Sequence, residues 1–220
     1  MRLRGPVHRS RGFTLLETAL AMIIVMVGVL AMVEAHGGFL RANAWSSHEA
    51  TATYLANELR ERMRALPRHD PVTGLKVVTG GSGPPIAQGV GPESGEVSVT
   101  DYDDIDDYNG AKFGNGGNFD GPIDAFGRVI PDVDFNGLVR NDPSTGQPMA
   151  LQGWSQEVTV EKVDPYNFAQ ARGWEYAWAG PPAIPVDRFP LRVTISVRYQ
   201  APLSTVEEVV TQVSWIVPAN

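Results

Sequence analysis

The order of apolar and polar positions divides the chain into stretches of different period. Residues 13–33 (FTLLETALAMIIVMVGVLAMV) are apolar on nearly every side, and residues 19–33 carry no polar side chain. As a helix this run rises roughly 30 Å, the thickness of a bilayer core. It predicts a membrane-spanning helix. Past Gly37 and Gly38 the period changes: Leu40, Ala44, His48, Ala52, Leu55, Leu59, Met63 and Leu66 recur at spacings of three and four. That is one apolar stripe on a helix. Glu49, Glu58, Arg60, Glu61, Arg62 and Arg64 take the opposite side, with Glu58 and Arg62 spaced as an i,i+4 ion pair. The pattern predicts an amphipathic helix over residues 40–66, stopped by Pro67. His48, on the stripe with no second ligand one turn away, is expected to be a packed or partly exposed ring.

In the last third the period falls to two. Leu191, Val193, Ile195, Val197 and Tyr199 alternate with Arg192, Thr194, Ser196 and Arg198, which predicts a strand over residues 189–199 with one buried face. A second strand over 206–217 places Val209, Thr211, Val213, Trp215 and Val217 inward. The short polar connector 201–205 makes the two an antiparallel pair. A third strand is expected over 154–163, with Val158 and Val160 on one face. Between helix and sheet, 24 of the 84 residues from 67 to 150 are Gly or Pro, against 16 of the other 136. Loops are therefore expected there, with short strands at 75–79, 96–100 and 127–130. GGSGPP (80–85) reads as a connector, because no Gly-Lys-Ser/Thr follows to cradle a phosphate. An amphipathic helix and a one-faced sheet solve each other's burial problem. The expected fold is α+β: a long N-terminal helical spine packed against a C-terminal antiparallel β-sheet. Its expected segments are 1–12, 13–39, 40–66, 67–153 and 154–217.

Charge and composition narrow the function. The net charge is −7, yet Arg2, Arg4, Arg9 and Arg11 precede every acidic residue, so the remainder is four charges more negative still. Nucleic acid is not an expected partner of so acidic a body. The arginines before the apolar run keep that end cytoplasmic and send the rest across the membrane. The absence of cysteine removes disulfides and thiol chemistry. There is no serine elbow, no histidine beside a nucleophile and no catalytic carboxylate frame, so an enzyme is not expected.

Two acidic segments are candidates for Ca²⁺, the one cofactor the chain invites. Asp132, Asp134 and Asn136, followed by Gly137, match the first half of a calcium loop, D-x-[DN]-x-[DN]-G. The twelfth position is Pro143 rather than a carboxylate, and Asn136-Gly137 between apolar residues is equally a hairpin signal. Five aspartates within residues 101–107 either gather a hard cation or form a solvated loop.

The N-terminal segment allows a cleaved secretory signal, a plain anchor, or a cut before the apolar run. Glu17 weighs on this choice, because an ionisable side chain within an apolar helix usually has a partner. Gly12-Phe13-Thr14-Leu15-Leu16-Glu17, after a basic leader and before the apolar run, resembles the processing motif of type IV pilins and of the pseudopilins of type II secretion. The resemblance implies that prepilin peptidase cuts between Gly12 and Phe13 and that Phe13 is N-methylated. It also implies that Glu17 pairs with the terminal amine of a neighbouring subunit. The implied partners are other pilin or pseudopilin subunits, an inner-membrane assembly platform and membrane lipid. The implied location is the inner membrane, single-pass, with a periplasmic C-terminal domain, and then a fibre. Gly37-Gly38 would then be either a tolerated weak point or a place to unwind on assembly. Lack of a cysteine pair, lack of a mid-helix proline and the long Gly/Pro-rich region favour a minor pilin. The alternatives are a type II secretion pseudopilin and a non-polymerising, membrane-anchored periplasmic binding module.

Overall fold

The structure, a computed structural model, describes residues 14–79 and 83–219. The chain divides after Ser47 into two compact units. Among the described residues, helix α1 (Leu15–Met63) is the secondary structure of the first unit and the opening element of the second. In the first unit its apolar side chains are exposed, Leu15 at 89% and Ile24 at 64%. It is the one described helix long and apolar enough to cross a membrane, judged by length and composition.

In the second unit the sequence stripe becomes a core. Ala52, Leu55, Ala56, Leu59 and Met63 are fully buried. Leu40 and Ala44, expected on the same stripe, are exposed. The helix ends at Met63 rather than Leu66, and a turn closed by the Leu66 N–H on the Met63 carbonyl leads to Pro67. The expected Glu58–Arg62 pair gives way to longer reaches. Arg62 donates to the Tyr108 hydroxyl and the Val99 carbonyl, both at 2.6 Å. Glu58 accepts the Ala125 N–H at 2.8 Å. A partly buried guanidinium gains more from two fixed acceptors than from a solvated carboxylate one turn away.

Within the second unit, the last turns of the helix pack on an antiparallel sheet. A small ribbon comes first, β1 (Lys76–Val78) with β2 (Ile86–Gln88). The main sheet then runs β3 (Lys112–Gly114), β4 (Trp154–Asp164), β6 (Leu191–Tyr199), β7 (Glu208–Val217), and β5 (Asn167–Ala171) pairs with the end of β4. Val158, Val160, Leu191, Val193, Ile195 and Val197 are all buried toward the helix, as the alternation predicts. Each such side chain stabilises the fold by about 1.5–3 kcal/mol relative to exposure. At the end of β4's inner face Lys162 is buried too, its Nζ donating to the Trp174 and Tyr176 carbonyls at 2.8 and 2.6 Å. Burial lowers its pKa to about 8.

Three expected strand features differ. β7 carries an irregularity opposite Val197 and Arg198, where Thr211 and Val209 are successive partners. Val210 is left over, turns inward against the core, and Val209 points outward at 48% exposure. An extra residue in one strand reverses side-chain parity beyond it. Residues 96–100 are not a strand: the Asp101 carboxylate accepts the Ser98 N–H and hydroxyl and folds the segment into a turn. The expected strand over 127–130 is reduced to an isolated bridge between Ile123 and Val129.

Gln156 ties the layers together. Fully buried on β4, it donates to the carbonyls of Leu55 (2.8 Å) and Ile123 (3.1 Å) and accepts the Ile123 N–H (2.8 Å). His48 sits half-buried beside the rings of Trp154 and Tyr199, at centroid distances of 5.7 and 4.4 Å, as a packed ring.

Candidate functional site

Gly12 and Phe13, the expected processing pair, lie outside the described residues. Just after them, Thr14 and Glu17 face each other at the start of α1. Glu17 Oε2 accepts the Thr14 N–H at 3.3 Å, and the Thr14 hydroxyl accepts the Glu17 N–H at 3.4 Å. This reciprocal arrangement is a capping box of the T-x-x-E form. The Glu17 carboxylate therefore points back toward the chain's start, where a helix presents its positive end.

At the second candidate the structure builds a turn. Asp134 and Leu138 pair through the Asp134 N–H on the Leu138 carbonyl (2.8 Å), and the intervening loop closes at Gly137 with φ 78°. One Asp134 oxygen accepts the N–H groups of Asn136 (2.8 Å) and Leu138 (3.0 Å). Asp132 is paired with Arg140 at 3.2 Å, and Asn136 is exposed. These contacts serve a hairpin, and Arg140 takes one oxygen of the Asp132 carboxylate. The same device occurs ten residues earlier, where Asp124 Oδ1 accepts the N–H groups of Phe126 and Arg128. Asp142 repeats it with Ser144 and Thr145.

The acidic run 101–107 behaves differently. Tyr102, Ile105 and Tyr108, spaced by three, enter the core and carry the intervening residues inward. Asp104, Asp106 and Asp107 are buried at 0–1% exposure, while Asp101 and Asp103 stay at the surface. The loop is fixed at both ends. The Ile105 N–H donates to the Pro67 carbonyl, and Gly110 and Ala111 exchange hydrogen bonds with Val158 of β4. A single helical turn of the 3₁₀ type, Asp106–Tyr108, aims the carboxylates.

Asp107 and Asp104 are each held through one oxygen. Asp107 Oδ2 accepts the N–H groups of Asp103 and Asp104, both at 3.1 Å. Asp104 Oδ1 accepts those of Asp106 (2.7 Å) and Asp107 (3.1 Å). Glu93 joins from the preceding loop, its Oε1 accepting the Thr73 hydroxyl at 3.4 Å. Glu96 Oε2 accepts the Glu93 N–H at 2.9 Å. Asp106 turns away, accepting the Gly91 N–H at 3.2 Å and meeting His69 Nδ1 in a short contact. One carboxylate oxygen from each of Glu93, Asp104 and Asp107 lies within 4.8 Å of the other two, and Glu96, Asp103 and Asp107 form a second such group.

The electrostatics follow from burial. It pushes Asp104 up to about 8, helped by the neighbouring Asp106. Asp107 and Glu93 rise to about 7, again through burial first and adjacent carboxylates second. Burial also lowers His69 to about 4 and raises Asp106 to about 7, so both shifts disfavour separated charges in that contact. Buried anions close together need a compensating cation or protons. Comparison with protein-family models, with curated proteins and with solved structures finds no match for the chain.

Sequence reasoning saw the acidic run but not its burial. The three-residue spacing of Tyr102, Ile105 and Tyr108 was the available signal. Nothing in the sequence pointed to Glu93, which reaches the cluster from a separate loop.

Proposed function

We propose that this chain is a minor pilin, a structural subunit of a type IV pilus or pilus-like fibre, matured by prepilin peptidase at Gly12–Phe13. The observation that carries the reading is the character of α1. It is apolar and exposed over its first half, and it supplies core residues to an antiparallel sheet through its last turns. An apolar surface of that length requires a lipid or protein environment, and a fibre of like subunits supplies one after the membrane does. Glu17 supports the reading further. A carboxylate at the start of an apolar helix is costly unless a cation approaches it, and the free amine made by cleavage of a neighbour is such a cation. In this arrangement the periplasmic sheet domain is displayed by the helix, and the basic leader holds the N-terminus in the cytoplasm until it is removed.

The test is the intact mass of the chain extracted from membranes of cells carrying a prepilin peptidase. Loss of residues 1–12 together with the mass of one added methyl group is expected, and Gly12→Val should block both, because a β-branched side chain crowds the residue position before the cut. A retained leader in the unmutated chain, or a terminus near residue 35, would overturn the reading in favour of a plain anchor or a cleaved secretory signal.

A further inference from the structure

The geometry points to a calcium site formed by Glu93, Asp104 and Asp107, in the loops that lead into β3. Among the described residues, four buried side-chain oxygens lack a hydrogen-bond partner. Three of them are Glu93 Oε2, Asp104 Oδ2 and Asp107 Oδ1, and the fourth, Ser155 Oγ, is neutral. The residues with unpartnered anionic oxygens are thus the same three whose carboxylates approach within 4.8 Å. Asp104 and Asp107 are buried at 0% and 1% exposure. A buried carboxylate oxygen without a donor is strongly disfavoured, and three such carboxylates grouped together are more so.

The local backbone makes the arrangement rigid. Asp104 and Asp107 each spend one oxygen on two backbone N–H groups, which fixes the side chain and leaves the other oxygen without a hydrogen-bond partner. A site whose ligands are already held in place loses little conformational freedom on binding. The donor set selects the ion. All three ligands are carboxylate oxygens, which suit a hard cation, and His69, the nearby nitrogen donor, is turned onto Asp106. A spread of up to 4.8 Å between ligand atoms fits a Ca²⁺ shell, whose metal–oxygen distances of about 2.3–2.6 Å place opposite ligands roughly 4.6–5.2 Å apart. Mg²⁺, at about 2.0–2.1 Å, demands a tighter shell and gives up its water reluctantly. Glu96 and Asp103, grouped with Asp107 on the outer side, stand where further oxygens or water-mediated contacts complete the coordination. The site is separate from the Asp132–Asn136 turn and requires nothing of the membrane or fibre reading.

The competing arrangement is a cluster of carboxyl groups that shares protons and binds no metal. The full chain, purified in detergent micelles and stripped with chelator, separates the two. Added Ca²⁺ should raise the melting temperature by about 5–10 °C at a hundredfold excess over Kd, saturably and more strongly than equal Mg²⁺. Tb³⁺, a calcium substitute of similar size, should show luminescence excited through Tyr102 and Tyr108, and Ca²⁺ should displace it. Asp104→Asn keeps the oxygen that accepts the backbone N–H groups but removes the charge, and should weaken binding at least tenfold. Glu93→Gln, from the other loop, should do the same, while Asp134→Ala leaves the response intact. No Ca²⁺ response in the unmutated chain, whatever the Asn variant does, would overturn the site in favour of shared protons. A response that survives both Asp104→Asn and Glu93→Gln would overturn it in favour of diffuse surface binding.

Discussion

Gln156→Leu tests whether one buried amide joins helix, loop and sheet. The substitution keeps the side chain's bulk and removes three hydrogen bonds, to Leu55 and to both backbone groups of Ile123. The loss is unequal among the partners. The Leu55 carbonyl keeps its place in the helical ladder, whereas the Ile123 N–H and carbonyl are stranded at a residue only 1% exposed. Each stranded backbone group costs about 1–3 kcal/mol. Exchanging the amide for methyls in an apolar setting returns about 1 kcal/mol. The net destabilisation is about 3 kcal/mol, which for a folded region of this size lowers the melting temperature by about 6–12 °C. Thermal unfolding followed by circular dichroism in detergent reads this directly. Gln212→Leu is the control: its amide lies on the outer face of β7 and makes one exposed bond to the Ser196 hydroxyl. It should change stability by no more than about 0.5 kcal/mol. If the two variants melted together within a degree, Gln156 would not couple the layers.

Glu17→Gln should preserve the cap on Thr14 and insert into membranes at least as well as the unmutated chain, yet enter fibres poorly; equal recovery in sheared fibres would show that the charge has no assembly role. Gly114→Ala should cost more than about 2 kcal/mol, because Gly114 has φ 94° and a Cβ there would meet the Trp154 carbonyl oxygen at 2.4 Å; a melting temperature unchanged by the substitution would refute the close approach. In chelator, stability should fall as pH rises from about 4 to about 8. Asp104, near 8 when folded, and Asp107 and Glu93, near 7, bind protons that the unfolded chain, with ordinary carboxylates near 4, has already released. Melting curves at several pH values check this, and the slope should be shallower in Asp104→Asn.

The helix and the three long strands were legible because burial on one face imposes a period, and Leu55, Leu59, Val193 and Ile195 keep it without interruption. The rule failed where a single residue broke the count, at Val210. It failed again where a local cap outweighed alternation, as Asp101 does to the Val97 and Val99 pattern. The candidate site was half legible. Asp104 and Asp107 stand in a conspicuous acidic run, but their burial depends on the tyrosines beside them. Glu93 joins through loop closure, which leaves no period to read. At Asp134 the calcium and hairpin readings share the same residues, and the hydrogen bonds of its carboxylate, which form the turn, are not visible in the sequence.

The acidic loop also serves as a border. Along one side of β4, β3 covers residues 155–157, and β5 meets the strand at Val163 and Asp164. Between them the Val158 N–H donates to the Ala111 carbonyl and the Val160 N–H to the Asn109 side chain. The loop that carries Asp104 and Asp107 thus closes a gap in what would otherwise be an open strand edge. Releasing it would bare backbone donors and acceptors flanked by the apolar side chains of Val158 and Val160, a surface prone to pairing with another chain. Hydrogen exchange at these two amides is therefore a direct gauge of loop release. Conditions that quicken their exchange, chelation among them if calcium holds the loop, should be the conditions under which the protein aggregates.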